Sequence, residues 1–289
     1  MCFEIVTDSS SNLTEELIDR YRLHILSLVF RVGDAEYRSY TKGIRTDLKQ
    51  FYDMMRRKEK ITTSLVDPKS CAELFGALLE QGKDILYIGF SSALSGTYQA
   101  AASALEDLRF QYPERKIYHI DTLGASLGEG LLVYHAAKLR EKGKSIEEVY
   151  NWLLENRLHL CHWFTVDDLF FLRRGGRVSS TTAVLGTILG IKPVMHMDDE
   201  GRLIFVTKVR GRKAALDALV EKMAKTAVLP EEQEIFITHG DCLDDAQYVA
   251  KQVRERMHVK DVLINYVDPV IGAHSGPGTV ALFFLGDHR

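Results

Sequence analysis

The sequence predicts an α/β fold in two parts, and three observations carry that expectation. Short apolar runs alternate with helical stretches through the first half, the pattern of a parallel sheet flanked by helices. Two strand-like runs, 191–197 and 203–209, face each other across the turn Asp198-Asp-Glu-Gly201, which makes the second half a mixed or antiparallel sheet with helices. Hydroxyl-rich turns follow the first-half strands, at the edge where open parallel sheets bind ligands. The boundary is placed at residue 160, giving domains 1–160 and 161–289 with a ligand cleft between them.

In order, Phe3 to Thr7 is a strand, and Asp8-Ser-Ser-Ser-Asn12 follows it. Asp8 is either a cleft residue or a group that satisfies its own turn. Thr14-Glu-Glu-Leu opens a helix to about Tyr21, with acidic residues suiting its dipole. His24 to Val32 reads as one strand, the stretch to Lys42 as a polar excursion, and Thr46 to Arg57 as an amphipathic helix. Thr62-Thr63-Ser64 is a hydroxyl cluster before a helix of about Pro68 to Gln81.

Ile85 to Phe90 is a buried strand, and Ser95 to Leu108 a helix. Ser91, Ser92, Ser95 and Thr97 lie between or at them. The first turn of a helix has unpartnered N–H groups and partial positive charge, so this cluster is either an ordinary cap or a seat for an anionic oxygen group. Lys116 to Ile120 is a strand and Leu123 to Lys142 a long helix. Its Gly124, Gly128 and Gly130 cost helix stability, which close packing against a neighbour would explain. Ser145 to Asn156 is a further helix.

In the second half His159 to Thr165 is a strand, followed by Val166 to Leu172 and the basic knot Arg173-Arg-Gly-Gly-Arg177. Thr181 to Leu189 is a short apolar helix. After the hairpin come a helix over 212–227, a strand over 234–239, a helix over 244–257, a strand over 262–266, a tight loop Ile271-Gly-Ala-His-Ser-Gly-Pro-Gly278 and a strand over 279–285.

Composition narrows the function. The chain has 289 residues, 46% of them hydrophobic and 27% charged, with net charge −3 spread along it. No basic face for nucleic acid is evident, and no apolar run is long enough to span a bilayer. Met1-Cys-Phe-Glu-Ile-Val enters a strand without a secretory pattern, so a cytoplasmic protein is expected. Cys2, Cys71, Cys161 and Cys242 form no Cys-x-x-Cys pair, and the histidines no His-x-x-x-His pair, so neither a metal site nor a disulfide framework is expected. Dinucleotide and phosphate-loop fingerprints are absent. Ser plus His admits a hydrolase, with Asp121 or Asp268 as the acid, but no Gly-x-Ser-x-Gly elbow occurs.

The segments resemble the DegV family of fatty-acid-binding proteins along the whole chain. The resemblance is carried by Ile5-Val-Thr-Asp-Ser-Ser, Thr63-Ser64, Phe90-Ser-Ser-Ala-Leu-Ser-Gly-Thr-Tyr-Gln99, Ile120-Asp-Thr, Gly128-Glu-Gly-Leu-Leu-Val133, Phe171-Leu-Arg-Arg-Gly-Gly-Arg-Val178, Gly190-Ile-Lys-Pro-Val194, Val209-Arg-Gly-Arg-Lys-Ala214 and Gly272-Ala-His-Ser-Gly-Pro-Gly278. The serine turn and the histidine loop are specific in combination. Where the family often reads Thr-Ser-Gln-Pro-Ser, this chain has Thr63-Ser-Leu-Val-Asp67.

The resemblance implies two α/β domains with one long-chain fatty acid buried between them, bound as a ligand and not as a cofactor. Its carboxylate would be held by Thr63, by Ser92 or Ser91 with Ser95 in the same turn, and by His274, with Arg177 in support. It further implies a partner, a fatty-acid kinase resembling dihydroxyacetone kinases, which makes an acyl phosphate for phospholipid synthesis. Arg210 falls where the family has a basic residue implicated in kinase docking, and no catalysis by the chain alone is expected. Phe170, Phe171, Leu185, Ile188 and Leu189 are candidates for the acyl tunnel or for ordinary core. Each buried methylene contributes roughly 0.8 kcal/mol, so an acyl chain supplies on the order of 10 kcal/mol before association costs. A serine-dependent lipid hydrolase and a lipid-responsive regulatory protein are the rival readings.

Overall fold

The computed structural model describes residues 3–44, 46–179 and 190–289. The helix expected over 181–189 lies outside them.

Four short strands form the expected parallel sheet: β1 (Glu4–Asp8), β2 (His24–Leu26), β6 (Ile85–Gly89) and β7 (Ile117–Asp121), in the order β2-β1-β6-β7. β6 is buried at every position, as its unbroken apolar sequence requires of a central strand covered on both faces. The connecting helices are α1 (Glu15–Arg20), α3 (Pro68–Glu80), α4 (Thr97–Gln111), α5 (Leu127–Glu141) and α6 (Ile146–Asn156). α6 begins on a capping box in which Ser145 and Glu148 each accept the other's backbone N–H.

The single strand expected over 24–32 is two. After β2 the chain bends at Ser27-Leu28, where Leu28 N donates to Ser9 Oγ (3.0 Å). It then enters a separate three-stranded sheet of β4 (Ala35–Arg38), β3 (Val29–Val32) and β5 (Ile61–Ser64). The hydroxyl cluster Thr62–Ser64 is therefore the end of a strand, as its β-branched run suits, and not a free loop. The amphipathic helix α2 (Leu48–Arg56) buries Phe51, Tyr52 and Met55 beneath this sheet.

The second half forms a six-stranded mixed sheet. Its order is β10 (Leu203–Arg210), β9 (Ile191–Met197), β8 (Leu160–Thr165), β13 (Val280–Leu285), β11 (Glu234–His239), β12 (Asp261–Tyr266). Only the β11/β12 pair is parallel among these strands. Helices α8 (Arg212–Thr226) and α9 (Leu243–Met257) cover one face through Leu219, Met223, Val249 and Val253. Between β8 and β9 lies the short helix α7 (Phe170–Arg174).

α5 covers the other face of the six-stranded sheet and also packs on the parallel sheet. Every residue from Leu127 to Tyr134 is buried, so the helix is apolar nearly all round, as a helix between two layers must be. The helix starts at Leu127 and not at Leu123, so Gly124 precedes it, while Gly128 and Gly130 have the reason the sequence suggested. A Cβ on Gly130 would lie 2.5 Å from Ser11 O, and one on Gly128 2.2 Å from His162 Nε2.

The glycine-rich stretch expected to be a loop is mostly the helix α10 (Pro269–Ser275). Asp268 caps it by accepting from Val270 N (3.3 Å) and Ile271 N (3.0 Å), and Pro269 occupies the first turn. The turn proper starts at Gly276 (φ 84°), a conformation that favours glycine. α10 belongs to the second half of the sequence but packs on α2, β3 and β5 of the first.

Candidate ligand-binding site

A cavity of about 380 Å³ opens among these elements, within the range of small-molecule sites. Its inner wall is apolar: Phe164 from β8, Met197 from β9, Ala281 and Phe283 from β13, all buried. Its rim is formed where β5 runs into Leu65 and where the turn after β6 carries Leu94, Ser95 and Gly96. Leu65 is 42% exposed, and its Cδ2 would stand 3.3 Å from a Cβ on Gly96, so these two segments meet at the mouth.

Thr63, Ser95, Arg177 and His274 are half-buried polar groups of this lining. Thr63 Oγ1 lies 2.8 Å from His274 Nε2. The other imidazole nitrogen abuts Gly175, where a Cβ would come within 2.2 Å of Nδ1, so only glycine fits there. Arg177 donates to Gly175 O and, through Nη2, to Leu94 O (3.0 Å), which ties the Arg-Gly-Gly-Arg segment to the serine turn. Ser95 Oγ pairs with Thr97 Oγ1 (2.9 Å) and accepts from Thr97 N (3.2 Å).

Burial, followed by the charges of Arg177 and Arg174, lowers the His274 pKa to about 4, so the ring is neutral at physiological pH. Desolvation also lowers the pKa of Arg177. Among the described residues no carboxylate lies within ion-pair distance of Arg177. A half-buried guanidinium that faces a cavity without an acid partner is suited to an anionic ligand.

Buried acids hold the framework behind the mouth. Asp8 accepts from Phe90 N (3.1 Å), Tyr87 OH (3.1 Å), Ser10 N (3.0 Å) and Ser10 Oγ. Asp8 thus fixes turns, and its fully buried carboxyl is pushed up to about 6 by desolvation. Glu129 of α5, also fully buried, accepts from Thr7 Oγ1 (3.0 Å) and Ser10 Oγ (3.3 Å). Burial and the charge of Asp8 raise it well above the ordinary carboxylate range.

Of the residues singled out by sequence, Thr63, Ser95, Arg177 and His274 line the cavity together. Ser91 is buried outside the lining and donates to Gly201 O (2.9 Å). Ser92 also stands outside it, its backbone N–H on the Asp121 carboxylate (3.3 Å). No hydrogen bond joins either serine to His274 among the described residues, so the hydrolase geometry is not formed there. Phe170 is 53% exposed, and Phe171 packs against Gly276 and the core of the first half. Leu172, the next residue, is the one of this run that reaches the cavity. Leu185, Ile188 and Leu189 lie outside the described residues. Arg210 is exposed at the end of β10. Sequence reasoning missed Phe164, Ala281 and Phe283, although β-strand alternation puts Ala281 and Phe283 on one face. It also missed Ser126, Thr238 and Ser275. Among the described residues no group of three or more His, Cys, Asp or Glu could hold a metal, and no helix is long and apolar enough to cross a membrane.

With this geometry in place, comparison with known proteins is decisive for the family. A family model described as an uncharacterised protein of the DegV family matches residues 2–287. The chain belongs to the DegV family. A DegV domain-containing protein of Clostridium perfringens is 45% identical over 289 residues, covering 99% of this chain and 98% of that one. The solved DegV family protein of Thermus thermophilus, described for its fatty acid binding, is 30% identical with a TM-score of 0.89, over 99% of this chain and 100% of that one. DegV of Bacillus subtilis, described as a fatty acid binding protein, is 27% identical with a TM-score of 0.85, over 99% and 100%. The mixed α/β architecture is that of these DegV structures.

Proposed function

We propose that this DegV protein binds one long-chain fatty acid, with the carboxylate at Thr63, Ser95 and Arg177 and the acyl chain against Phe164, Met197, Ala281 and Phe283. The observation that carries the reading is Arg177: a guanidinium without an acid partner among the described residues, in the lining of an apolar cavity. The fatty acid binding of the solved Thermus and Bacillus relatives supports it. The chain then divides near residue 160 into two lobes with the ligand between them, as lining from both halves supports. Against a sharp division, one apolar cluster takes in Ile5, Leu131, Phe236 and Phe283 together.

A carboxylate only accepts hydrogen bonds, so Thr63 must give its proton to the ligand. Thr63 is free to do so when His274 carries its proton on Nε2 and donates to Thr63 Oγ1. Thr97 likewise can donate to Ser95 Oγ, which leaves the Ser95 proton for the ligand. Charge-assisted bonds of this kind offset the cost of removing the carboxylate from water.

The protein's part, in the cytoplasm, is to carry the acid to a separate kinase of the dihydroxyacetone-kinase type for acyl-phosphate formation and phospholipid synthesis, without chemistry of its own. The family resemblance and the exposed Arg210 support this coupling. Native mass spectrometry of the purified protein, followed by lipid extraction, tests the first step: one fatty acid per chain is expected. Arg177→Met should weaken palmitate on the order of tenfold and hexadecanol little, since only the acid carries the charge. A chain that neither holds nor takes up palmitate or oleate overturns the reading. Acyl phosphate trapped with hydroxylamine, formed with kinase and ATP and reduced by Arg210→Ala, tests the coupling.

A further inference from the structure

Four residues of α10 line the cavity, as two i,i+4 stripes: Val270 with His274, and Ile271 with Ser275. Ser275 thus stands one step round the helix from the residue that holds Thr63. Ser275 is 6% exposed, and its Oγ is buried with no hydrogen-bond partner among the described residues. It is the one side-chain oxygen or nitrogen of the described lining that is both closed to solvent and unpartnered.

The other buried polar groups of the lining are committed. Thr279 Oγ1 donates to Ser275 O (3.0 Å) and Gly276 O (2.8 Å). Ser126 Oγ donates toward Asn12 Oδ1 (2.8 Å) and Thr238 Oγ1 (3.1 Å), so its one proton is shared between two acceptors and Thr238 is partnered as an acceptor. His162 is held at Nδ1 by Leu160 O (3.2 Å) and accepts at Nε2 from Ala125 N (3.3 Å). Among these buried groups of the described lining, Ser275 alone has its hydroxyl wholly unpartnered, with proton and lone pairs both unused. A plain methylene packed on it leaves that hydroxyl unsatisfied, whereas an oxygen substituent completes it. Its place beside His274 sets that oxygen near the carboxylate end.

Building on the fatty-acid reading, we infer that Ser275 makes this cavity selective for acyl chains with a hydroxyl close to the carboxylate, the class of 2- and 3-hydroxy fatty acids. The test is displacement of a fluorescent fatty acid from the delipidated full-length protein by palmitate, 2-hydroxypalmitate and 3-hydroxypalmitate. One of the hydroxy acids is expected to bind about tenfold tighter than palmitate, and Ser275→Ala to bring that ratio to about one. Equal affinity for all three acids in the unsubstituted protein overturns the inference. So does a ratio that survives Ser275→Ala, the result if the serine serves the carboxylate or nothing. A protein that takes up none of the acids overturns the fatty-acid reading itself, and this inference with it.

Discussion

Thr63 and His274, 211 residues apart in sequence, are joined by a 2.8 Å hydrogen bond in the lining of the cavity. The bond links the end of a strand in the small antiparallel sheet to a helix donated by the other half of the chain. Burial keeps the imidazole neutral, so it can set the direction in which the threonine proton points. The contact is therefore both a seam between the halves and a switch of hydrogen-bond polarity toward the ligand.

Removing the Thr63 hydroxyl while keeping its shape should weaken fatty-acid binding. Thr63→Val is expected to cost on the order of tenfold in affinity, the loss of one hydrogen bond to a charged group. Thr63→Ser should keep most of it. Titration calorimetry of the delipidated proteins with palmitate reads both, and equal affinities for all three would place the carboxylate elsewhere.

The imidazole of His274 should not titrate across neutral pH. Its folded pKa of about 4 lies below the ordinary value of 6.5, so protonation favours the unfolded chain. The stability from the neutral ring is present above pH 6.5 and is lost as the pH falls toward 4. Nitrogen-15 spectra of the histidine rings should show this residue neutral and protonated on Nε2 from pH 8 to 5. A midpoint near 6.5 would contradict the burial that the site depends on.

Much of this was legible in sequence, for local reasons. The parallel sheet showed as apolar runs, the hairpin as two strands around an acidic turn, and the α5 glycines as a cost needing a close neighbour. The split of residues 24–32 did not show, because Leu26-Ser-Leu28 contains no breaker and the hand-off between sheets is a tertiary event. Asp268-Pro269 carried a helix-start signal that the glycines around His274 obscured. Among Ser91, Ser92 and Ser95, three hydroxyls in one turn, only the folded backbone separates the cavity-lining one from two that stand outside the lining. A five-residue helix likewise gives too little periodicity to tell Leu172 from Phe170 and Phe171.

Glu129 invites a substitution that improves stability. Its carboxyl is fully buried and raised well above 4.5, so at high pH the fold carries the penalty of ionising it or of keeping it protonated. A raised folded pKa means its favourable contribution is present below the unfolded pKa and fades as pH rises. Glu129→Gln keeps an acceptor for Thr7 Oγ1 and places an N–H donor near Ser10. The variant should melt a few degrees higher than the unsubstituted protein at pH 8, and the gap should narrow toward pH 5. A variant less stable at pH 8 would mean that an ionised Glu129 is needed to hold Thr7 and Ser10.

Two glycine-to-alanine changes, both within helices, should act with opposite sign. At Gly128 the new methyl would lie 2.2 Å from His162 Nε2 and 2.8 Å from Phe283 Cδ1. His162 is tied at both nitrogens and Phe283 packs edge-on against it at 5.3 Å, so neither can withdraw cheaply. Gly128→Ala should cost roughly 1–3 kcal/mol, as overpacking does, and should also reduce palmitate capacity because both residues line the cavity. At Gly76 of α3 nothing lies within 4 Å of the new methyl. Gly76→Ala should therefore stabilise by up to about 1 kcal/mol through helix propensity alone, with palmitate binding unchanged. Urea denaturation of both variants checks the pair. Equal effects would show that α5 is not clamped between the two sheets at the ligand wall.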